Sequence, residues 1–123
     1  MSPFAGHLSD VNAVEFGPTG NVVGSGSDDA SCRIFDLRSL GPLNVFNDDS
    51  ISCGVTDVCF SKTGRLLFCS YEENFAIGWE TCSAAGVFHE LKTHKNRVSC
   101  LGINATGQAL ATGSWDTSLA IWA

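Results

Sequence analysis

The chain has 123 residues, 44% of them hydrophobic and 16% charged, which supports one small packed core or a few repeat units and excludes a disordered chain. Thirteen acidic against seven basic residues leave a formal net charge of −6, which repels phosphate backbones and anionic lipid and argues against a nucleic-acid partner. The six cysteines, at 32, 53, 59, 69, 82 and 100, form no C-x-x-C pair and read as reduced, strand-borne small hydrophobes, not zinc ligands.

The first residues, Met1-Ser2-Pro3-Phe4-Ala5-Gly6, carry neither the basic start nor the apolar stretch of a secretory leader. Phe4 is expected to end an outer strand whose beginning is absent. Rough two-residue alternation predicts a strand over 11–16, closed by the turn Gly17-Pro18-Thr19-Gly20-Asn21. A strand at 22–25, the tight turn Ser27-Asp28-Asp29-Ala30, a strand at 32–37 and a weaker outer strand at 43–47 follow. The plan then repeats, with strands at 55–60, 66–70, 76–80 and 87–91 and turns at Ser61-Lys62-Thr63-Gly64 and Tyr71-Glu72-Glu73-Asn74. Three further strands, at 98–103, 109–113 and 119–122, complete the chain. Residues 98–115 lack formal charge, but polar and apolar residues alternate there, so the run reads as two strands and not as a membrane helix.

Landmarks recur at steps of 44 and then 43 residues: Val11, Val55 and Val98 open the copies, and Gly20, Gly64 and Gly107 mark the first turn. Asp29, Glu73 and Asp116 each stand six residues before an aromatic, namely Phe35, Trp79 and Trp122. A period in the forties with an acid-to-aromatic close is the sequence signature of a propeller blade. The fold class is therefore expected to be all-β, a propeller fragment of about three four-stranded antiparallel blades over 7–47, 51–91 and 94–123. The last blade lacks its outer strand. Closed propellers take at least four blades, so the chain reads as part of a larger ring.

His7 lies 22 residues before Asp29, and His94 lies 22 before Asp116. This repetition predicts a buried relay in which the turn Asp accepts from the loop His, while a strand hydroxyl, Ser114 or Thr112, accepts from the indole N–H of Trp122. Metal ligation or general-base chemistry by these histidines is disfavoured, since no further His or carboxylate sits at ligand spacing. Only the third copy has every part: Phe35 lacks the indole donor, and the second copy has Ile51 in the His position and Glu73 in the turn. Gly24-Ser25-Gly26-Ser27 reads as a strand–turn junction, Asn104-Ala105-Thr106 as a turn, and the two histidines of His89 to His94 are one residue too far apart for a zincin motif. No catalytic constellation emerges, no cofactor is expected, and the chain is expected not to be an enzyme.

In an antiparallel meander, the loop leading into the first strand and the turn between the second and third fall at one end of the blade. Asp10, Asn12, Asp28, Glu72, Lys95, Arg97 and Trp115 are expected on that shared face. Trp115 is the sharpest candidate anchor, although packing over its own turn is an equal alternative, and each acid alone reads as a turn former.

Several strings are also familiar: Gly-His-x-Ser-Asp-Val-Asn-Ala at 6–13, Gly-Ser-Asp-Asp-Ala-Ser-Cys-Arg-Ile-Phe-Asp-Leu-Arg at 26–38, Ser-Lys-Thr-Gly-Arg-Leu-Leu-Phe at 61–68, Asn-Arg-Val-Ser-Cys-Leu-Gly at 96–102 and Ala-Thr-Gly-Ser-Trp-Asp at 111–116. Over nearly its whole length the chain resembles the beta subunit of heterotrimeric G proteins, a WD-repeat family, and the resemblance implies the last three of seven blades. It further implies a non-enzymatic signalling scaffold that binds the GDP-bound alpha subunit and effectors through Asp10, Asn12, Asp28, Glu72, Arg97 and Trp115. Glu72 stands where Asp is usual, and the segments 39–42 and 89–94 depart from the family pattern. The gamma subunit is implied for the whole protein, through a helix and blades outside these strings. The implied location is cytoplasmic, at the inner face of the plasma membrane through partner subunits, with no direct membrane insertion. The alternative from the blade pattern alone is a WD-repeat adaptor of another pathway, ribosome- or kinase-associated.

Overall fold

The computed structural model describes residues 5–39, 41–82 and 88–122; the strand end expected at Phe4, the strand start at Val87 and the last residue, Ala123, lie outside them. The described residues contain eleven strands and no helix. The first sheet is β1 (Val11–Phe16), β2 (Val22–Ser27), β3 (Cys32–Asp36) and β4 (Gly41–Phe46); the second is β5 (Val55–Phe60), β6 (Leu66–Tyr71), β7 (Phe75–Glu80) and β8 (Phe88–Lys92). The third is β9 (Val98–Ile103), β10 (Leu110–Ser114) and β11 (Leu119–Trp122). Each is an antiparallel meander in chain order, and β1, β5 and β9 lie next to one another as the inner strands of consecutive blades. The chain is thus an all-β propeller-type repeat. β2 and β6 extend beyond the expected boundaries to Ser27 and Tyr71, and β10 begins at Leu110 and runs to Ser114.

Those extensions come from a bulge in each inner strand. Val11 pairs with Ser27 but Ala13 with Gly26, Val55 pairs with Tyr71 but Asp57 with Ser70, and Val98 pairs with Ser114 but Cys100 with Gly113. One residue is extra in each case: Asn12, Thr56 and Ser99. A bulge re-aims its side chain and shifts the alternation by one, which places Val55, Val58 and Phe60 on one buried face in place of a simple every-second-residue pattern. The re-aimed side chains reach the next sheet. Asn12 Nδ2 donates to the carbonyl of Val55 at 2.9 Å, and Thr56 Oγ1 donates to the carbonyl of Val98 at 2.6 Å.

The main core lies between the first two sheets, where Ile34, Phe46, Val55, Val58, Phe60, Leu67, Tyr71, Ile77 and Trp79 are buried together. Cys32 and Cys69 correct the expectation of six separate thiols: their sulfurs are paired across this interface, with Cα atoms 7.3 Å apart. That span exceeds the about 4.4–6.8 Å usual for disulfides, and both residues are fully buried, so the pair serves as packing between the sheets. Cys53, Cys59, Cys82 and Cys100 are free, and burial pushes the Cys59 thiol up to about 11.

The close approach of the first two sheets depends on Gly26. A Cβ there would sit 2.4 Å from Val55 Cγ1 and 3.0 Å from Val58 Cγ1. Gly26→Val therefore overpacks a filled interface and is expected to lower unfolding free energy by about 1–3 kcal/mol in thermal or denaturant melts. Wild-type stability in this variant would contradict the described packing.

Candidate functional site

One backbone hydrogen bond recurs in all three blades and gathers the candidate residues at one end of the molecule. The amide of Asp28 donates to the carbonyl of Asp10, that of Glu72 to Gly54, and that of Trp115 to Arg97, each at 2.9 Å. In each blade the bond ties the tip of the turn between the second and third strands to the loop leading into the first. Asp28 and Glu72 both flank Gly54: a Cβ on Gly54 would lie 2.8 Å from Asp28 Oδ1 and 3.1 Å from Glu72 Oε1. Two carboxylates thus stand side by side at the junction of the first two blades, adding local negative potential to an acidic chain.

Trp115 is largely exposed, and the Arg97 guanidinium carbon lies 4.3 Å from its ring centroid. The two readings of this side chain meet here, because the indole is outward and is also held by a cation–π contact with the neighbouring loop. Asn12 is different in kind. Its amide is used by Asp28 Oδ1 at 2.6 Å and by the Val55 carbonyl, so its first task is joining blades and holding the Asp28 carboxylate in place.

Beneath this end lies the polar network. In the third blade, His94 Nδ1 is 3.2 Å from Asp116 Oδ2, His94 Nε2 is 2.7 Å from Thr112 Oγ1, and the Trp122 indole N–H donates to the same Thr112 hydroxyl at 3.1 Å. The carboxylate can only accept, so Nδ1 carries the proton, Nε2 accepts from Thr112, and every member is satisfied. Of the two hydroxyls considered for the indole, Thr112 takes it. Ser114 instead donates to the carbonyls of Asn96 and Arg97 at 3.1 and 2.8 Å, bracing the leading loop. In the first blade His7 Nδ1 is 3.0 Å from Asp29 Oδ2 and Nε2 is 2.6 Å from Ser25 Oγ, while Phe35 meets the imidazole edge-on with ring centroids 6.3 Å apart.

Sequence reasoning overlooked Ser25, Ser31 and Ser118. Their signal was present: Ser25 and Thr112, like Ser31 and Ser118, hold equivalent repeat positions around the histidines. In the second blade the whole set changes together. Ile51, Cys69 and Phe75 replace His, hydroxyl and Ser, and the Trp79 indole donates to the Tyr71 phenol at 3.1 Å. Tyr71 stacks on Phe75 with ring centroids 5.0 Å apart, and burial pushes its phenol well above the usual range.

The electrostatics of the turn acids follow from their bonds. The Ser118 hydroxyl, the Lys95 amide, the Ser118 amide and His94 hold the Asp116 carboxyl far below its usual value. For Asp29, burial is the largest influence and pushes upward, but the Ser31 hydroxyl, the Leu8 amide, His7 and the Ser31 amide together outweigh it and leave the carboxyl well below the usual range. Among the described residues no group of three His, Cys, Asp or Glu side chains is arranged to hold a metal ion.

Three meander sheets side by side, tied at one end by the same bond, define a β-propeller repeat protein. The family described as "WD domain, G-beta repeat" matches residues 1–36, 41–79 and 86–123, and the chain belongs to it. It is 48% identical over 98% of its length to the guanine nucleotide-binding protein subunit beta of Solanum tuberosum, covering 33% of that protein. The subunit beta-1 of Nicotiana tabacum is 45% identical and the subunit beta of Arabidopsis thaliana 44%, each over 98% of the chain and 33% of the relative. The chain spans about a third of the length of these curated relatives.

Both turn carboxyls resist protonation more in the folded state than in the unfolded one. Their stabilisation is complete above about pH 5 and drains away as pH falls toward the depressed folded values. Melting temperature is therefore expected to drop on acidification below about pH 5, and to drop less steeply in Asp116→Asn. His94→Ala, which leaves the buried Thr112 hydroxyl short of an acceptor, is expected to cost about 1–3 kcal/mol at neutral pH. An acid limb identical to wild type in Asp116→Asn, or an unchanged melting temperature in His94→Ala, would contradict the network.

Proposed function

We propose that this chain is part of the beta subunit of a heterotrimeric guanine nucleotide-binding protein, a non-enzymatic scaffold that holds the GDP-bound alpha subunit and, once released from it, downstream effectors. The observation that carries this reading is the thrice-repeated turn-to-loop bond. It gives separate stretches of chain a common end, where Asp10, Asp28 and Trp115 are exposed and Glu72 and Arg97 are half-buried. The relatives named above, identical at nearly half of the aligned positions, support the signalling role. An aromatic anchor paired with an Arg, next to a pair of acids, is the composition from which protein interfaces draw most of their binding energy. A gamma subunit enters only as a partner of the longer protein, and location at the cytoplasmic face of the plasma membrane follows from the partner subunits.

In full-length protein, Trp115→Ala combined with Asp28→Ser is expected to abolish capture of GDP-loaded alpha subunit in a pull-down, while the thermal melt still shows a folded protein. Undiminished capture by the double variant, or no capture by the parent protein, would reject the proposal.

A further inference from the structure

The sulfur pair of Cys32 and Cys69 joins the first two sheets beside the contact that Gly26 makes possible. Both residues are fully buried, Cys32 on β3 and Cys69 on β6, 37 residues apart in the chain. Within its own sheet Cys32 pairs with Gly26, and Cys69 pairs with Val58. Gly26 is the residue whose missing side chain admits Val55 and Val58, so the sulfurs neighbour a contact with no slack. Their Cα atoms stand 7.3 Å apart, beyond the about 4.4–6.8 Å of ordinary disulfides. Closing a bond at the ordinary span draws the two strands together, and reduction lets them part.

Both cysteines lie just behind the rim acids. Cys32 follows Asp28 by four residues, and Cys69 precedes Glu72 by three. Asp28 is tied to the same seam through Asn12, which donates to its Oδ1 at 2.6 Å and to the Val55 carbonyl at 2.9 Å. Glu72 is tied through its amide to the carbonyl of Gly54, at 2.9 Å, the residue before Val55. The spacing of the two sheets therefore sets the spacing of the two carboxylates beside Gly54. Like charges this close repel, and a covalent link across the seam holds them at one separation.

We propose that Cys32 and Cys69 form a reversible disulfide, a redox-operated clasp between the first two blades that fixes the Asp28–Glu72 separation and thereby tunes the affinity of the rim for its partner. The partner half of this inference rests on the reading of the rim as the alpha-subunit surface. On the cytoplasmic side of a membrane, the location proposed for the protein, disulfides are usually transient and redox-sensing. The oxidant is a low-molecular-weight disulfide. One cysteine thiolate attacks a sulfur of that disulfide and releases half of it as a thiol; the second cysteine then displaces the other half and closes the Cys32–Cys69 bond. Two cysteine thiols lose two electrons and two protons, and the external disulfide gains them as two thiols. With both sulfurs shut off from solvent, exchange proceeds when the seam opens locally, which distinguishes the clasp from the exposed thiols of Cys82 and Cys100.

The test uses full-length protein equilibrated with glutathione disulfide or with dithiothreitol, then unfolded, alkylated and mapped by mass spectrometry. A Cys32–Cys69 linked peptide is expected in the first sample and two alkylated thiols in the second. The oxidised form is expected to melt about 5 °C or more above the reduced form, and the difference to vanish in Cys69→Ala. Cys32→Ala is the second variant, and the peptide map needs the parent protein alone. Capture of GDP-loaded alpha subunit is expected to differ at least about fivefold in affinity between the two forms, and not to differ in the variants. No linked peptide under oxidation, a link that persists in dithiothreitol on the native protein, or a redox-dependent melt retained in both variants overturns the clasp. Equal capture by both forms overturns its control of the rim. Absence of capture by either form overturns the reading of the partner, while the peptide map and the melt decide the bond itself.

Discussion

The structure depends above all on a single bulged residue in the inner strand of each blade. Without the bulge, strict alternation would send Asn12 and Thr56 to the wrong place and put Val14 and Val58 on the opposite face from Val11 and Val55. With it, Asn12 and Thr56 each fasten to the following sheet, and Val55, Val58 and Phe60 share the buried face that packs on the preceding one. Sheet-on-sheet placement follows, and with it the common end where the loops meet.

That placement separates two kinds of polar residue that look alike in sequence. Asp29 and Asp116 organise their turns from inside, accepting from a histidine, a hydroxyl and backbone amides. Asp28, exposed, and Glu72, half-buried, stand one residue earlier in their turns with their carboxylates beside Gly54. The inner acids hold the turn still, and the outer ones have their positions fixed by it. A rim built this way loses little side-chain freedom when a partner arrives, which is how preorganised surfaces gain affinity.

Much of this was legible from the repeat. Steps of 44 and 43 residues located the strands, the histidine–aspartate pairs and the shared face, because each copy must make the same contacts to stack on its neighbour. The bulge was legible but unread: apolar residues at the first, fourth and sixth positions of 11–16, 55–60 and 98–103 break period two in the same way three times. Two features lay beyond reading. The Tyr71–Trp79 bond replaces a histidine relay with a phenol that no repeat position announces, and the meeting of Cys32 with Cys69 depends on how two sheets stack and not on any spacing along the chain.

The central claim, that consecutive sheets are fastened along their inner strands, is read most directly at the amides of Val98 and Leu101. β9 is the edge of its own sheet, yet Val98 donates to the Glu73 carbonyl at 3.1 Å and Leu101 to the Asp57 carboxylate at 2.9 Å, both in the preceding blade. Amide hydrogen exchange followed by NMR is predicted to show both protons protected far beyond random-coil rates and released together with the core of the second sheet. Exchange of both at the rate of an exposed edge strand would contradict the account.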